Sequence, residues 1–321
     1  MKWKDDGHEL AYHSLSQSIK DDKVSFKDFE TFNPPNKDIP TWIDHGYQPY
    51  NFSLYKKHGR KDDWYEEQLK DKSIAILWNY IDSGTATKGV INQINPEHFT
   101  LKKYVKGIKS NTPKIRYAAF IKNIMFHFYN GEKYALNYKD IAKFYKLTFM
   151  AKKPKYIFNL LVSLGLVAGA ILKIFLTWNS SKTKTYPLAK YTPVLFKHKI
   201  KDEEFSIFQT IEMVDFKKAL CKENIDLLIE ESGLFIAHTY FSVPMGYHTG
   251  KLLRTPSQID EDVEANFSYL AHKIANNEVW NPTLKQLISY FDNIENAVFS
   301  IDSSDNIYLA SQDAIPIREI N

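Results

Sequence analysis

The residues of this 321-residue chain that could do chemistry are histidines and carboxylates placed at the ends of short apolar runs. The first group lies in Gly7-His8-Glu9-Leu10-Ala11-Tyr12-His13-Ser14-Leu15-Ser16-Gln17. Two imidazoles four apart on a helical turn face one side and can share a divalent ion, with a strand-borne carboxylate completing the set. Here the two positions are His13 and Gln17, and an amide oxygen is a weak ligand. Next come Asp44-His45-Gly46 after Thr41-Trp42-Ile43, and Asn79 and Asp82 after the apolar run Ile74 to Trp78. Asp44 beside His45 can fix the imidazole tautomer or ligate directly. Asn79 and Asp82 can hydrogen-bond a polar ligand or orient a histidine. His238 follows Leu234 to Ala237 and suits general acid–base work. Beyond it, Tyr240, Tyr247 and His248 offer stacking or polar contacts. Each also has a plainer reading: His8 a turn residue, His13 a relic of a helix start, His45 an ordinary strand-end turn, the others loop starters.

The stretch Gly7 to Gln17 resembles the second motif of the NodB-homology polysaccharide deacetylases, a Gly-His-Glu turn leading into His-(Ser/Thr)-x-x-His. The run Leu234 to His238 is similar to the family's last motif, an apolar strand ending in a histidine. The resemblance covers roughly residues 5–85 and 205–310. It implies an α/β fold, an incomplete NodB-like (β/α) barrel in which the carboxyl ends of several strands deliver side chains to one mouth. It further implies a divalent metal, zinc or similar, held by His13 with His45, and catalytic roles for His238 and Asp44. His238 would protonate the departing amine, and Asn79, Asp82, Tyr240 and His248 would contact a carbohydrate substrate. The implied activity is metal-dependent removal of N-acetyl groups from a cell-envelope glycan. Two departures stand out: Gln17 replaces the second motif histidine, and the family's aspartate-bearing first strand has no counterpart before Gly7, so the chain is expected to begin inside the barrel. The competing expectation is a catalytically impaired barrel that binds glycan or anionic membrane.

The elements that must position these groups divide by charge. The net charge of +4 conceals 20 Lys and Arg against two acids in residues 101–200, a balance of +18, leaving −14 for the rest. That contrast marks a separate structural unit, so the expected plan is a first part of the barrel at 1–100, a basic helical insertion at 101–190 and a second part at 191–321. Within the insertion, Arg116 to Tyr129 and Tyr138 to Met150 carry apolar residues at helical spacing between lysines. Interleaved aromatics and lysines could suit nucleic acid, but the spacing marks the inward stripe of amphipathic helices, and no nucleic-acid partner is expected. Ile157 to Trp178 is an apolar run with Lys173 as its only charge, long enough to cross a bilayer. A crossing would put the two halves of one barrel on opposite sides, so the segment is expected to be packed within the helical subdomain or to lie in the membrane surface beside Lys152, Lys153, Lys155, Lys182 and Lys184.

After the insertion, Phe205 to Ile211 reads as a strand, Val214 to Glu231 as a helix stopped at Gly233, and the next strand leads to His238, a βαβ unit. Ile259 to Asn276 and Pro282 to Asn293 read as amphipathic helices, and 297–310 as a β-hairpin around Ser303-Ser304-Asp305-Asn306. The composition, 44% hydrophobic with 15% aromatic residues, supports a sizeable core. Cys221 is the single cysteine, which excludes an intrachain disulfide. With no apolar leader at residues 1–6, a cytoplasmic or peripheral-membrane location is the expectation.

Overall fold

A computed structural model describes residues 5–14, 22–44, 48–52, 54–129, 132–176, 186–240, 252–255, 257–295 and 297–310. The chain is mixed α/β with a parallel-strand sheet, and it divides into two compact units. The first comprises Met1–Tyr80, Leu195–Phe208 and Ala271–Asn321, the second Ile81–Val194 and Gln209–Leu270.

In the first unit, strands β1 (Tyr12–His13), β2 (Thr41–Ile43), β3 (Ile76–Trp78), β4 (Leu195–Ile200) and β5 (Glu203–Phe208) form one sheet in the order β1-β2-β3-β5-β4. The pairs β1–β2, β2–β3 and β3–β5 are parallel, and β4 closes the edge antiparallel to β5. A parallel sheet is covered on both faces, which is why Ile76, Leu77 and Trp78 are all buried despite alternating direction. Helices α1 (Asp22–Thr31) and α2 (Trp64–Asp71) bring Phe29 and Tyr65 into an aromatic core with Trp42 and Tyr50. There Phe29 stacks on Tyr50 with centroids 4.5 Å apart. Glu9 holds the start of the unit in place: one carboxylate oxygen accepts from Thr41 Oγ1 at 2.8 Å and the other from the Lys285 amide at 2.9 Å.

The second unit begins with helices α3 (Leu101–Gly107), α4 (Pro113–Asn123), α5 (Glu132–Tyr145), α6 (Ile157–Leu176) and α7 (Pro187–Tyr191). Thr100 caps α3 through Oγ1, which accepts from the Lys103 amide at 3.2 Å. The glycine at 107 lets that helix approach the 87–88 backbone: an added Cβ would lie 2.8 Å from the Lys88 carbonyl oxygen. The helix expected at Arg116 to Tyr129 is α4 followed by a π-helical turn over Ile124–Phe128, and α5 likewise ends in a π-helical turn at Lys146–Met150. The expected single strand Phe205 to Ile211 is interrupted. Gln209 and Thr210 turn their polar groups to buried partners, and a new strand β6 (Ile211–Glu212) belongs to the second unit.

The expected helix Val214 to Glu231 is likewise two, α8 (Phe216–Ala219) and α9 (Lys222–Glu230). The break has a cause: Asn224 Nδ2 lies within hydrogen-bond reach of the Lys218 and Ala219 carbonyls at 3.0–3.1 Å, acceptors that a continuous helix would use internally, and of the Thr87 carbonyl at 3.0 Å. Strand β7 (Ala237–His238) then pairs parallel with β6, completing the βαβ connection. A small antiparallel pair, β8 (Leu253–Thr255) and β9 (Gln258–Ile259), precedes α10 (Glu261–Ala275). In the first unit the chain ends its described part with α11 (Leu284–Glu295) and the hairpin β10 (Phe299–Ile301) and β11 (Ile307–Leu309). Thr283 and Gln286 form a reciprocal cap at the start of α11.

Candidate active site

The backbone of the second unit aligns three chain segments side by side. The Ser83 amide donates to the Thr210 carbonyl at 2.9 Å, Glu212 to Gly84 at 2.9 Å and Ala86 to Glu212 at 2.8 Å. On the other side of β6, the Ile211 amide donates to Ile236 at 3.0 Å and Met213 to His238 at 2.8 Å. Thr85 is thereby in parallel register with Glu212, and Glu212 with His238. Side chains in register on neighbouring strands share a face. Thr85, Glu212 and His238 therefore converge, while Ile211, one residue away, is directed into the apolar core.

Asp82, buried just before this array, joins it to His238. Its Oδ2 lies 3.0 Å from His238 Nδ1, and its Oδ1 accepts from the Thr210 hydroxyl at 2.7 Å. With Nδ1 held by a carboxylate, the tautomer of the neutral ring is set and Nε2 becomes the nitrogen that exchanges a proton. Burial favours the neutral imidazole of His238. The Asp82 charge and hydrogen bond, assisted by Glu212, outweigh burial and the opposing Lys122 charge, and raise the affinity of the ring for its proton. Tyr240 lies edge-on to the His238 ring, with centroids 5.2 Å apart. Burial, then Asp82 and Glu212, push its phenol upward, so the hydroxyl stays protonated as a donor.

Glu212 is the second buried carboxylate. Lys122, from α4, pairs with its Oε1, and the Thr85 hydroxyl donates to Oε2 at 3.3 Å. Burial opposes its ionisation, but the Lys122 charge and hydrogen bond hold it well below the usual carboxylate range. His127 sits in the π-helical turn, where its Nδ1 meets the Asp82 backbone carbonyl at 3.2 Å. A carbonyl only accepts, so Nδ1 carries the proton. His127 Nε2 is then 3.6 Å from Glu212 Oε2, beyond hydrogen-bond reach, and it is buried without a hydrogen-bond partner among the described residues.

The expected site residues thus divide. Asp82, His238 and Tyr240 come together in the second unit. His13, Asp44 and Asn79 belong to the first. His13 is exposed at the end of a strand, with Nδ1 at 3.1 Å from its neighbour's carbonyl, Ser14 O. Such a contact favours the tautomer that carries its proton on Nδ1. Asp44 is buried and accepts from the Tyr65 hydroxyl at 2.7 Å, an arrangement that, with burial, holds the phenol protonated. Asn79 donates its backbone amide to Phe208 at 2.9 Å. His45 and His248, with Gln17, Gly46 and Tyr247, lie outside the described residues. Among the described residues no three His, Cys, Asp or Glu side chains are grouped to hold a metal ion. His13 alone falls short of the three protein ligands that a catalytic zinc site uses, so no chemical step is derived through an ion.

Sequence reasoning missed Glu212, Lys122 and His127. Glu212 could have been found as a lone carboxylate between Ile211 and Met213 at a strand end. Lys122 and His127 carry no comparable signal, because each fits an amphipathic helix equally well.

Comparison with protein-family models, curated proteins and solved structures finds no match to this chain.

Proposed function

We propose that the chain is a hydrolase of the polysaccharide-deacetylase type, acting on the N-acetyl group of an envelope glycan, with His238 as the general acid. The observation that carries this reading is the Asp82–His238 pair at 3.0 Å, set beside a second buried carboxylate at the carboxyl end of parallel strands. Amide hydrolysis stalls when a tetrahedral intermediate must expel an amine, because an unprotonated amine is a poor leaving group. A histidine whose proton is retained toward neutral pH and delivered from Nε2 removes that obstacle, an effect typically worth about 10²–10⁴-fold in rate.

Asp82 is a positioning residue: it orients the ring and stabilises the imidazolium, while Thr210 fixes the carboxylate. Glu212 adds negative charge beside the ring, and Lys122 keeps Glu212 ionised. Tyr240 supplies a hydroxyl donor and an aromatic face near the ring, both suited to a sugar. The fold reading that accompanies this function is a NodB-like barrel. The parallel order β1-β2-β3-β5 supports it. No step is routed through the divalent ion that the resemblance implies.

The test is acetate release from N-acetylglucosamine oligomers by the purified chain supplied with zinc, cobalt or nickel. Wild type should release acetate, and His238→Ala should lose at least about a hundredfold in kcat while remaining folded by far-UV circular dichroism. Equal rates in the two proteins would remove His238 from the mechanism.

A further inference from the structure

We infer that the helical hairpin α5–α6 of the second unit docks this protein on an anionic lipid bilayer, by shallow insertion of its outward apolar face. This goes beyond the proposed hydrolase activity and does not depend on it.

Helix α6 is apolar around nearly its whole circumference, but only one stripe is covered. Leu160, Ser163, Val167, Ala170 and Ile174, three or four apart, are buried, the last three of them in the unit's own helical core. On the opposite side Phe158 is 73% exposed, Leu161 59%, Leu172 58%, Phe175 59% and Leu176 76%. Phe149 and Met150, at the end of the preceding π-helical turn, are also exposed and extend the apolar surface to the hairpin tip. A helix that is apolar all round is expected to lie in a core or in lipid, not in water. At 20 residues it is about 30 Å long, so this is a contiguous strip and not a scatter of single side chains.

The surrounding charge selects the occupant. Lys143, Lys146, Lys152, Lys153, Lys155 and Lys173 are exposed around the strip. The sequence supplies no Asp or Glu between Asp140 and Asp202, so the segment itself is strongly cationic. A second copy packed face to face would bring these lysines against each other. An anionic lipid surface takes the apolar side chains into its acyl boundary while its headgroups pair with the ammonium groups. The covered stripe argues for lying on the bilayer and against crossing it. A crossing helix would have to leave the core contacts of Val167, Ala170 and Ile174.

The test uses the full chain and unilamellar vesicles of phosphatidylcholine with or without phosphatidylglycerol. The chain should sediment with the anionic vesicles only, and salt should release it. Each lysine near the surface contributes roughly fivefold to partitioning, so Lys152→Gln/Lys153→Gln/Lys155→Gln should bind about a hundredfold more weakly. Phe149→Ser/Phe158→Ser/Leu161→Ser, all at exposed positions, should abolish binding while keeping the wild-type unfolding midpoint. Equal binding to both vesicle types would overturn the proposal. So would release by detergent alone, which marks a crossing helix, or the absence of vesicle binding together with a dimer that the serine variant dissociates.

Discussion

Replacing Glu212 by Gln tests the electrostatic core of the site, because this one side chain neutralises Lys122 and faces His127 and His238. Glu212 and Lys122 are largely withdrawn from water, with side chains 10% and 18% exposed. The substitution keeps the shape and the acceptor for Thr85 Oγ1, but strips the carboxylate from the ion pair. Breaking a buried pair from one side typically costs about 3–5 kcal/mol, and the residual exposure of Lys122 places the expectation near the lower end, about 3 kcal/mol. The sign with pH follows from the depressed ionisation of Glu212. Its contribution is fully present above the unfolded carboxylate value, about 4.3, and is lost as pH falls from there toward the folded value. Urea unfolding of wild type and Glu212→Gln should therefore differ by about 3 kcal/mol at neutral pH, and by progressively less as the pH is lowered below about 4. Adding Lys122→Met to the variant should recover at least half of the loss, since an apolar group of similar length needs no counter-ion. A difference below about 0.5 kcal/mol at neutral pH, or one that persists unchanged in acid, would refute the reasoning.

The remaining expectations concern the neighbours of that carboxylate. Asp82→Asn should lower the proton affinity of His238 by about 1–2 pKa units, read by the pH titration of its ring resonances in NMR; an unmoved titration would dissociate the pair. Asn224→Ala should destabilise the chain by about 2–4 kcal/mol in urea unfolding. It removes one buried amide that serves the Thr87, Lys218 and Ala219 carbonyls and accepts from the Gly89 amide at 2.8 Å. Gly107→Ala should cost about 1–3 kcal/mol, measured the same way, because the new methyl meets Thr87 and the Lys88 carbonyl.

Strong local patterns were legible in the sequence. The apolar run from Ile157 gives a long helix with its start in place, since its strongly apolar composition leaves no competing turn signal. The strands at Thr41–Ile43 and Ile76–Trp78 follow from apolar runs that end in polar residues, as does the parallel strand that carries His238. The hairpin around Ser303 to Asn306 follows from its turn residues. What failed was set by tertiary contacts. Val214 to Glu231 has helical periodicity throughout, yet the Asn224 amide breaks it. Arg116 to Tyr129 has it too, but the π-helical turn inserts a residue, rotating later side chains by about 100° relative to the simple period. The partner of His127, which lies within that turn, is therefore outside the reach of a 3.6-residue count. The Asp82–His238 contact spans 156 positions in the sequence. Both members could be nominated singly, but their pairing depends on the strand register. The expected basic insertion became a set of helices in the same compact unit as His238, one of which delivers Lys122 to Glu212.

The central claim is that His238 delivers the proton that frees the amine, under the control of Asp82. The most direct measurement is the pH dependence of kcat for acetate release from N-acetylglucosamine oligomers, compared between wild type and Asp82→Asn. The account predicts a rate that declines as pH rises through the elevated His238 titration, with that limb displaced downward by about 1–2 pH units in the variant. Identical limbs in the two proteins, or no acetate released at any pH with zinc, cobalt or nickel supplied, would contradict it.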